Sequence, residues 1–219
     1  MKKQLIVIWI IASMLFETSL FSQSPWTLEE HVFNKEAVKR ADKIVWYGCD
    51  VSNTKMRDYA KFDEGQIIVE KHIPAIIGEF GLRFDIKKFQ SLLNGKNVIV
   101  DNQSIQDLYK KLDYRNFIVL HNRNLTIDTI KIIVKNYTLP QNDGIGVIFI
   151  GEMFNDVKDP IRYFSAYMTF FDIQSREVYL STKVKGRPGS NFGFTKYWVN
   201  GMTEALDIYF SHFRKTYKK

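Results

Sequence analysis

Gly146-Val147-Ile148-Phe149-Ile150-Gly151 sets four consecutive large apolar residues between two glycines. A strand with one wet face alternates apolar and polar residues. An unbroken run of this length is typical of a strand buried on both faces. The segments around it follow the same logic. Ahead of it, Thr126 caps a helix predicted to run to Tyr137, with Ile127, Ile130, Ile133 and Val134 as its apolar stripe. Leu139-Pro140 stops that helix, and Gln141-Asn142-Asp143-Gly144 turns the chain into the strand.

Working outward, further strands are expected at Ile44–Cys49, Asn97–Val100 and Asn116–His121. Helices are expected over Asn34–Asp42, with a start as early as the capping-box pair Thr27 and Glu30, over Ile67–Phe80, Ile86–Leu93 and Ser104–Leu112. Pro74 predicts a kink or a fresh start within the second of these. Beyond the central strand the pattern changes. Arg162–Ile173 is a long aromatic strand, Gln174-Ser175-Arg176 a turn, and Glu177–Lys185 an alternating strand. This pair predicts an antiparallel hairpin with Val178, Leu180, Thr182 and Val184 on one face. Tyr179, Ser181, Lys183 and Lys185 then lie on a solvated face. A closing helix spans Thr195–Phe213, burying Trp198, Met202, Ala205, Tyr209 and Phe213.

The fold class is therefore α/β, bordering on α+β. It is a single domain over residues 26–217 with a mixed sheet of about five strands and flanking helices. Its core should hold Ile44, Trp46, Val98, Ile118, Ile130, Val147, Phe149, Phe170, Leu180, Trp198 and Tyr209.

Residues 1–22 carry an address. Lys2 and Lys3 precede the run Leu5–Phe16, and Glu17-Thr18-Ser19 closes it before the small residue Ser22. This is the build of a secretory signal peptide cleaved near Ser22, and the run falls short of the roughly 20 apolar residues of a membrane span. The exported chain, about 197 residues, is of one-domain size. Its single cysteine, Cys49, cannot form an internal disulfide and reads as a small apolar core residue. The net charge of +7 is concentrated in Lys183, Lys185, Arg187, Lys196 and the tail from Arg214. Such a surface favours an envelope protein or an anionic envelope surface as partner, and export removes nucleic acid from consideration.

Two candidate sites emerge. The loop Gly186–Gly193, with Arg187, Gly189, Ser190, Asn191 and then Lys196, presents backbone amides and positive charge ahead of a helix, which suits an anion. It lacks the Gly-Lys-Ser/Thr ending of a nucleotide-binding loop, and no cofactor motif occurs elsewhere. The second candidate is a set of strand-end residues: Asp50, Asp101, His121 and Glu152. If their strands are parallel neighbours, they share the sheet edge where α/β proteins bind ligands, suiting acid–base chemistry or a cation. The four histidines lack zinc-ligand spacing, and no serine sits in a nucleophile elbow. A third feature is the tyrosine set Tyr163, Tyr167 and Tyr179, which would form a binding face if exposed together.

Val45-Trp46-Tyr47-Gly48, Phe170-Phe171-Asp172-Ile173 with Ser175-Arg176-Glu177-Val178, and Gly189–Trp198 resemble segments of a group of uncharacterised exported bacterial proteins. The element order is similar to the periplasmic part of the curli secretion lipoprotein and to the amino-terminal domain of TolB. The resemblance implies an envelope interaction module and transfers no catalytic residue. The expectation is an exported, periplasmic or extracellular, non-enzymatic envelope-binding protein. The alternative is a small-molecule-binding or hydrolytic enzyme using the strand-end carboxylates.

Overall fold

A computed structural model describes residues 28–58, 64–158, 160–189 and 193–217. The expected signal peptide lies outside the described residues, as do Thr27, Ser190 and Asn191. The first elements are β1 (Glu29–Val32), α1 (Lys35–Arg40), β2 (Lys43–Asp50) and β3 (Lys55–Arg57). A helical run follows: α2 (Gly65–Ile67), a π-helical stretch (Ile68–His72), α3 (Ile73–Arg83) and α4 (Ile86–Leu92). Then come β4 (Asn97–Val100), α5 (Gln103–Gln106), two 3-10 turns (Asp107–Lys111 and Tyr114–Asn116), β5 (Ile118–Val119) and α6 (Ile127–Lys135). The chain closes with β6 (Ile145–Asn155), β7 (Tyr163–Asp172), β8 (Val178–Gly186) and α7 (Phe194–Tyr217).

The apolar run lies at the middle of the sheet, and all of β6 is buried. Along one edge β6 pairs in parallel with β2 and then with β3, and along the other it pairs antiparallel with β7. The main strand order is β1-β8-β7-β6-β2-β4, with β5 added outside β3. The sheet is mixed and ends in the expected hairpin and long helix. It has eight strands, however, not about five. The additions β1 and β3 are too short to show a hydrophobic period, and the expected strand over 116–121 is present only as the two residues of β5. Glu29–Val32 pairs with β8, so Glu30 lies in a strand and not in the first turn of a helix. Asn34 caps α1 instead, its carboxamide oxygen accepting from the Ala37 N–H. The helix around Pro74 widens just ahead of it: the Ile73 N–H bonds back to Ile68 across a π turn.

Two helical layers cover the sheet. On one face Trp46, Val147, Phe149, Phe170 and Leu180 join a core with α3, α4 and α7 residues such as Phe80, Phe89, Trp198 and Tyr209. On the other face Val45, Tyr47, Ile148, Ile150 and Phe171 pack with Ile130 and Val134 of α6. Every residue of the expected core is buried. At about 1.5–3 kcal/mol for each fully buried large apolar side chain, these two layers dominate the favourable side of folding. Among the described residues no helix is long and apolar enough to cross a membrane.

Strand faces depart from simple alternation at three bulges. In β2 the register shifts between Trp46 and Cys49, where Gly48 has φ +87°. The extra residue puts Cys49 into the same core cluster as Trp46. In β6 the shift lies between Gly151 and Met153, and in β7 between Phe170 and Phe171. The last one sends Val178 and Leu180 into opposite cores, against the alternation expected for β8.

Candidate functional site

Strands β2, β3, β5 and β6 are parallel, so their carboxyl ends define one edge of the sheet. Asp50 ends β2 at that edge and is 1% exposed. The Gly48 bulge sets its direction. Its carboxylate reaches the α6 side, where the Tyr137 hydroxyl donates to it at 2.6 Å, and the Ser52 N–H donates at 2.8 Å. Burial, followed by the negative charge of Asp50, pushes the Tyr137 phenol well above its ordinary value. Asp50 lies at the wall of a cleft of about 550 Å³ that Ser52, Ser104, Lys111, Thr129 and Asn136 also line. This cleft is open, and its lining is rich in hydroxyl and amide groups.

Asp101 follows β4 and holds the neighbouring wall in place. It accepts from the Ser104 hydroxyl at 2.6 Å and from the Gln141 side-chain amide at 2.8 Å. Gln141 accepts in turn from the Tyr47 hydroxyl at 2.9 Å. Burial raises the Asp101 carboxyl, but the hydrogen bonds from Ser104 and Gln141 together bring it below the usual carboxylate value. Asp50 and Asp101 thus serve one cleft, the first by lining it and the second through Ser104.

The other two strand-end candidates do not join them. Glu152 is 1% exposed and turned toward β7 and β8. It accepts from the Leu125 N–H at 2.7 Å, the Ser165 hydroxyl at 2.8 Å and the Lys183 ammonium at 2.8 Å. The expected solvated face of β8 is therefore largely closed: the Lys183 side chain is only 12% exposed and Ser181 is buried. His121 is exposed on the loop that follows β5, and that strand is two residues long instead of running from 116 to 121. Among the described residues no group of three or more His, Cys, Asp or Glu side chains is gathered to hold a metal.

The first residues of the glycine loop are drawn onto α7. The Arg187 N–H donates to the Glu204 carboxylate of α7, so a carboxylate of this chain already occupies one of the amides offered to an anion. A Cβ on Gly189 would fall 2.2 Å from the Asn200 side chain. Arg187 and Lys196 are exposed, whereas burial, then the neighbouring Lys183 charge, lowers the Lys185 ammonium, which lies 4.5 Å from the Tyr163 ring centre. The tyrosine face does not exist as a surface: Tyr163 and Tyr167 are buried, and the Tyr167 hydroxyl donates to the Leu125 carbonyl.

Sequence reasoning missed Tyr137, Ser52, Lys111, Thr129 and Asn136. They come from three separate segments, and only the sheet edge brings them together. The one available signal was the polar stretch after Asp50, which holds Ser52 and Asn53. A further concave region lies beside the π turn, lined by His72, Asp156, Arg162 and Tyr197; there Arg162 pairs with Asp156 at 3.2 Å. Comparison with protein-family models, with curated proteins and with solved structures finds no match for this chain.

Proposed function

We propose that this protein is an exported, non-enzymatic binding module of the cell envelope that holds a hydroxyl-rich envelope component, such as a glycan end, in the Asp50 cleft. The observation that carries this reading is the make-up of that cleft. A buried carboxylate sits in its wall among alcohols and amides, at the carboxyl ends of parallel strands where α/β proteins bind ligands. Alcohols and amides both donate and accept, which matches the mixed hydrogen bonding of a polyol, while Asp50 fixes the wall behind them through Tyr137 and Ser52. The carboxylates speak for binding over catalysis: Asp50, Asp101 and Glu152 each spend their oxygens on donors of this chain. The basic-apolar start of the sequence supports export.

Calorimetric titration of the purified protein with envelope oligosaccharides tests the reading. Binding without turnover is expected, and Thr129→Val with Asn136→Leu should weaken it about tenfold or more while leaving the unfolding midpoint in place. Release of a cleaved product would replace this reading with the hydrolytic one. Binding indifferent to both substitutions would remove the cleft from the proposal. Expression of the full chain in a bacterium should yield a periplasmic or secreted form shortened to near Gln23.

A further inference from the structure

The short helix α5 has cavities on two sides. It gives Ser104 to the Asp50 cleft, while Ile105 and Gln106 belong to a second crevice of about 260 Å³ between the ends of β2 and β4 and helix α3. Its position follows from the topology. From β2 the chain runs on, through β3, to α3, which packs on the Trp46 face of the sheet. From β4 it runs to α5 and then α6, whose Ile105 and Ile130 pack on the Tyr47 face. Neighbouring parallel strands whose connections depart to opposite faces leave a crevice between their carboxyl ends.

Two observations inside the crevice are independent of that argument. Gly78 and Gly81 lie on its α3 side although helix interiors disfavour glycine. Neither has a positive φ, and among the described residues a Cβ on Gly78 would meet nothing within 4 Å. On Gly81 the nearest atom would be the Asn102 side-chain nitrogen, at 3.9 Å. Neither backbone strain nor crowding requires glycine there. What the two residues provide is open space. The second observation is the Asn102 carboxamide, held between Gly48 and Gly81. Its oxygen is buried without a hydrogen-bond partner among the described residues, 2.9 Å from where a Gly48 Cβ would stand. A buried carbonyl without a donor is uncommon in folded proteins and invites one. Apart from Gln106 the rest of the wall is mainly apolar and partly flat, with Trp46 and Phe84 stacked 4.3 Å apart.

We propose that this crevice is a binding site for a small, planar, mainly apolar ligand that carries one hydrogen-bond donor, the donor pairing with the Asn102 carbonyl and the ring entering between α3 and α5. The site is separate from the Asp50 cleft and does not depend on the polyol reading.

Indole and benzofuran, which share a shape but differ in the N–H donor, are the probes. Backbone-amide NMR titration of the protein should show indole shifting the signals of Trp46, Gly48, Gly81 and Asn102. Benzofuran should bind about tenfold more weakly. Asn102→Leu should bring the two ligands to equal affinity. Gly78→Leu should abolish binding of both while leaving the amide signals around Asp50 and Tyr137 in place, and Gly81→Leu provides the same block should the first variant fold poorly. Absence of indole binding up to its solubility, equal affinity of the two probes for the unaltered protein, or binding that survives both leucine variants would each overturn the proposal.

Discussion

The hydroxyl of Tyr137 and the carboxylate of Asp50 form a 2.6 Å hydrogen bond that ties the segment after α6 to the end of β2. Both groups are buried, so neither can turn to water when the other is removed. Tyr137→Phe should therefore cost about 1.5–3 kcal/mol, the range for a hydrogen bond to a charged group. Urea unfolding measures it. A loss below about 0.5 kcal/mol would show that Asp50 finds another donor at no cost.

How far this arrangement was legible in the sequence can be judged from Asp50 itself. That it ends a buried strand was readable from the apolar run Ile44–Tyr47, and the same reasoning identified Val147, Phe149, Trp198 and Tyr209 as core. Which face Asp50 takes was not readable. That depends on the bulge at Gly48, and a glycine at the end of an apolar run announces neither a bulge nor a positive φ. Glu152 repeats the lesson: the bulge beside it and the partner Lys183 on β8 turn a strand-end acid into half of a buried ion pair. Lys183 looked solvated because alternation reports which residues share a face, not whether a loop such as that around Leu125 covers the face.

That ion pair gives the second prediction. Lys183 and Glu152 meet at 2.8 Å with side chains 12% and 2% exposed. Lys183→Met leaves Glu152 with only the Leu125 and Ser165 donors and a buried negative charge. It should cost about 3–5 kcal/mol. Adding Glu152→Gln removes the uncompensated charge and should recover at least about 1 kcal/mol. A double variant less stable than Lys183→Met would contradict the electrostatic account.

The contact of β8 with α7 is tested at Gly186. A Cβ there would fall 2.0 Å from the Gly201 carbonyl oxygen and 2.4 Å from the Ala205 nitrogen. Both are backbone atoms of one helix, so relief requires the helix to move off the sheet, away from the Trp198 and Tyr209 core. Gly186→Ala should cost about 3 kcal/mol, at the upper end of overpacking penalties. Gly78→Ala, with open space around the new methyl, should leave stability the same or raise it by up to about 1 kcal/mol. Equal effects of the two substitutions would refute the packing argument.

Alkaline stability follows from the buried phenols. Burial is the largest cause raising Tyr47, Tyr137, Tyr167 and Tyr209, with the nearby charges of Asp101 on Tyr47, Asp50 on Tyr137 and Glu152 on Tyr167 adding to it. In the unfolded chain each phenol ionises near about pH 10. Above that pH the unfolded state releases protons that the folded state keeps, so the unfolded state binds fewer protons and stability falls as pH rises. Below about pH 9 both states hold these protons, and the tyrosines contribute no slope. Each one removes up to about 1.4 kcal/mol per pH unit above its unfolded value. Unfolding midpoints between about pH 8 and 11 should fall gently at first and then drop steeply as the phenols join. The gentle part comes from Cys49, whose thiol ionises at about pH 8.5 in the unfolded chain while burial keeps it protonated in the folded state. Tyr137→Phe should start lower at neutral pH yet fall less steeply, by up to that single-residue increment. If Tyr137→Phe instead follows the same alkaline slope as the unaltered protein, the Tyr137 phenol titrates in the folded state and its burial against Asp50 is wrong.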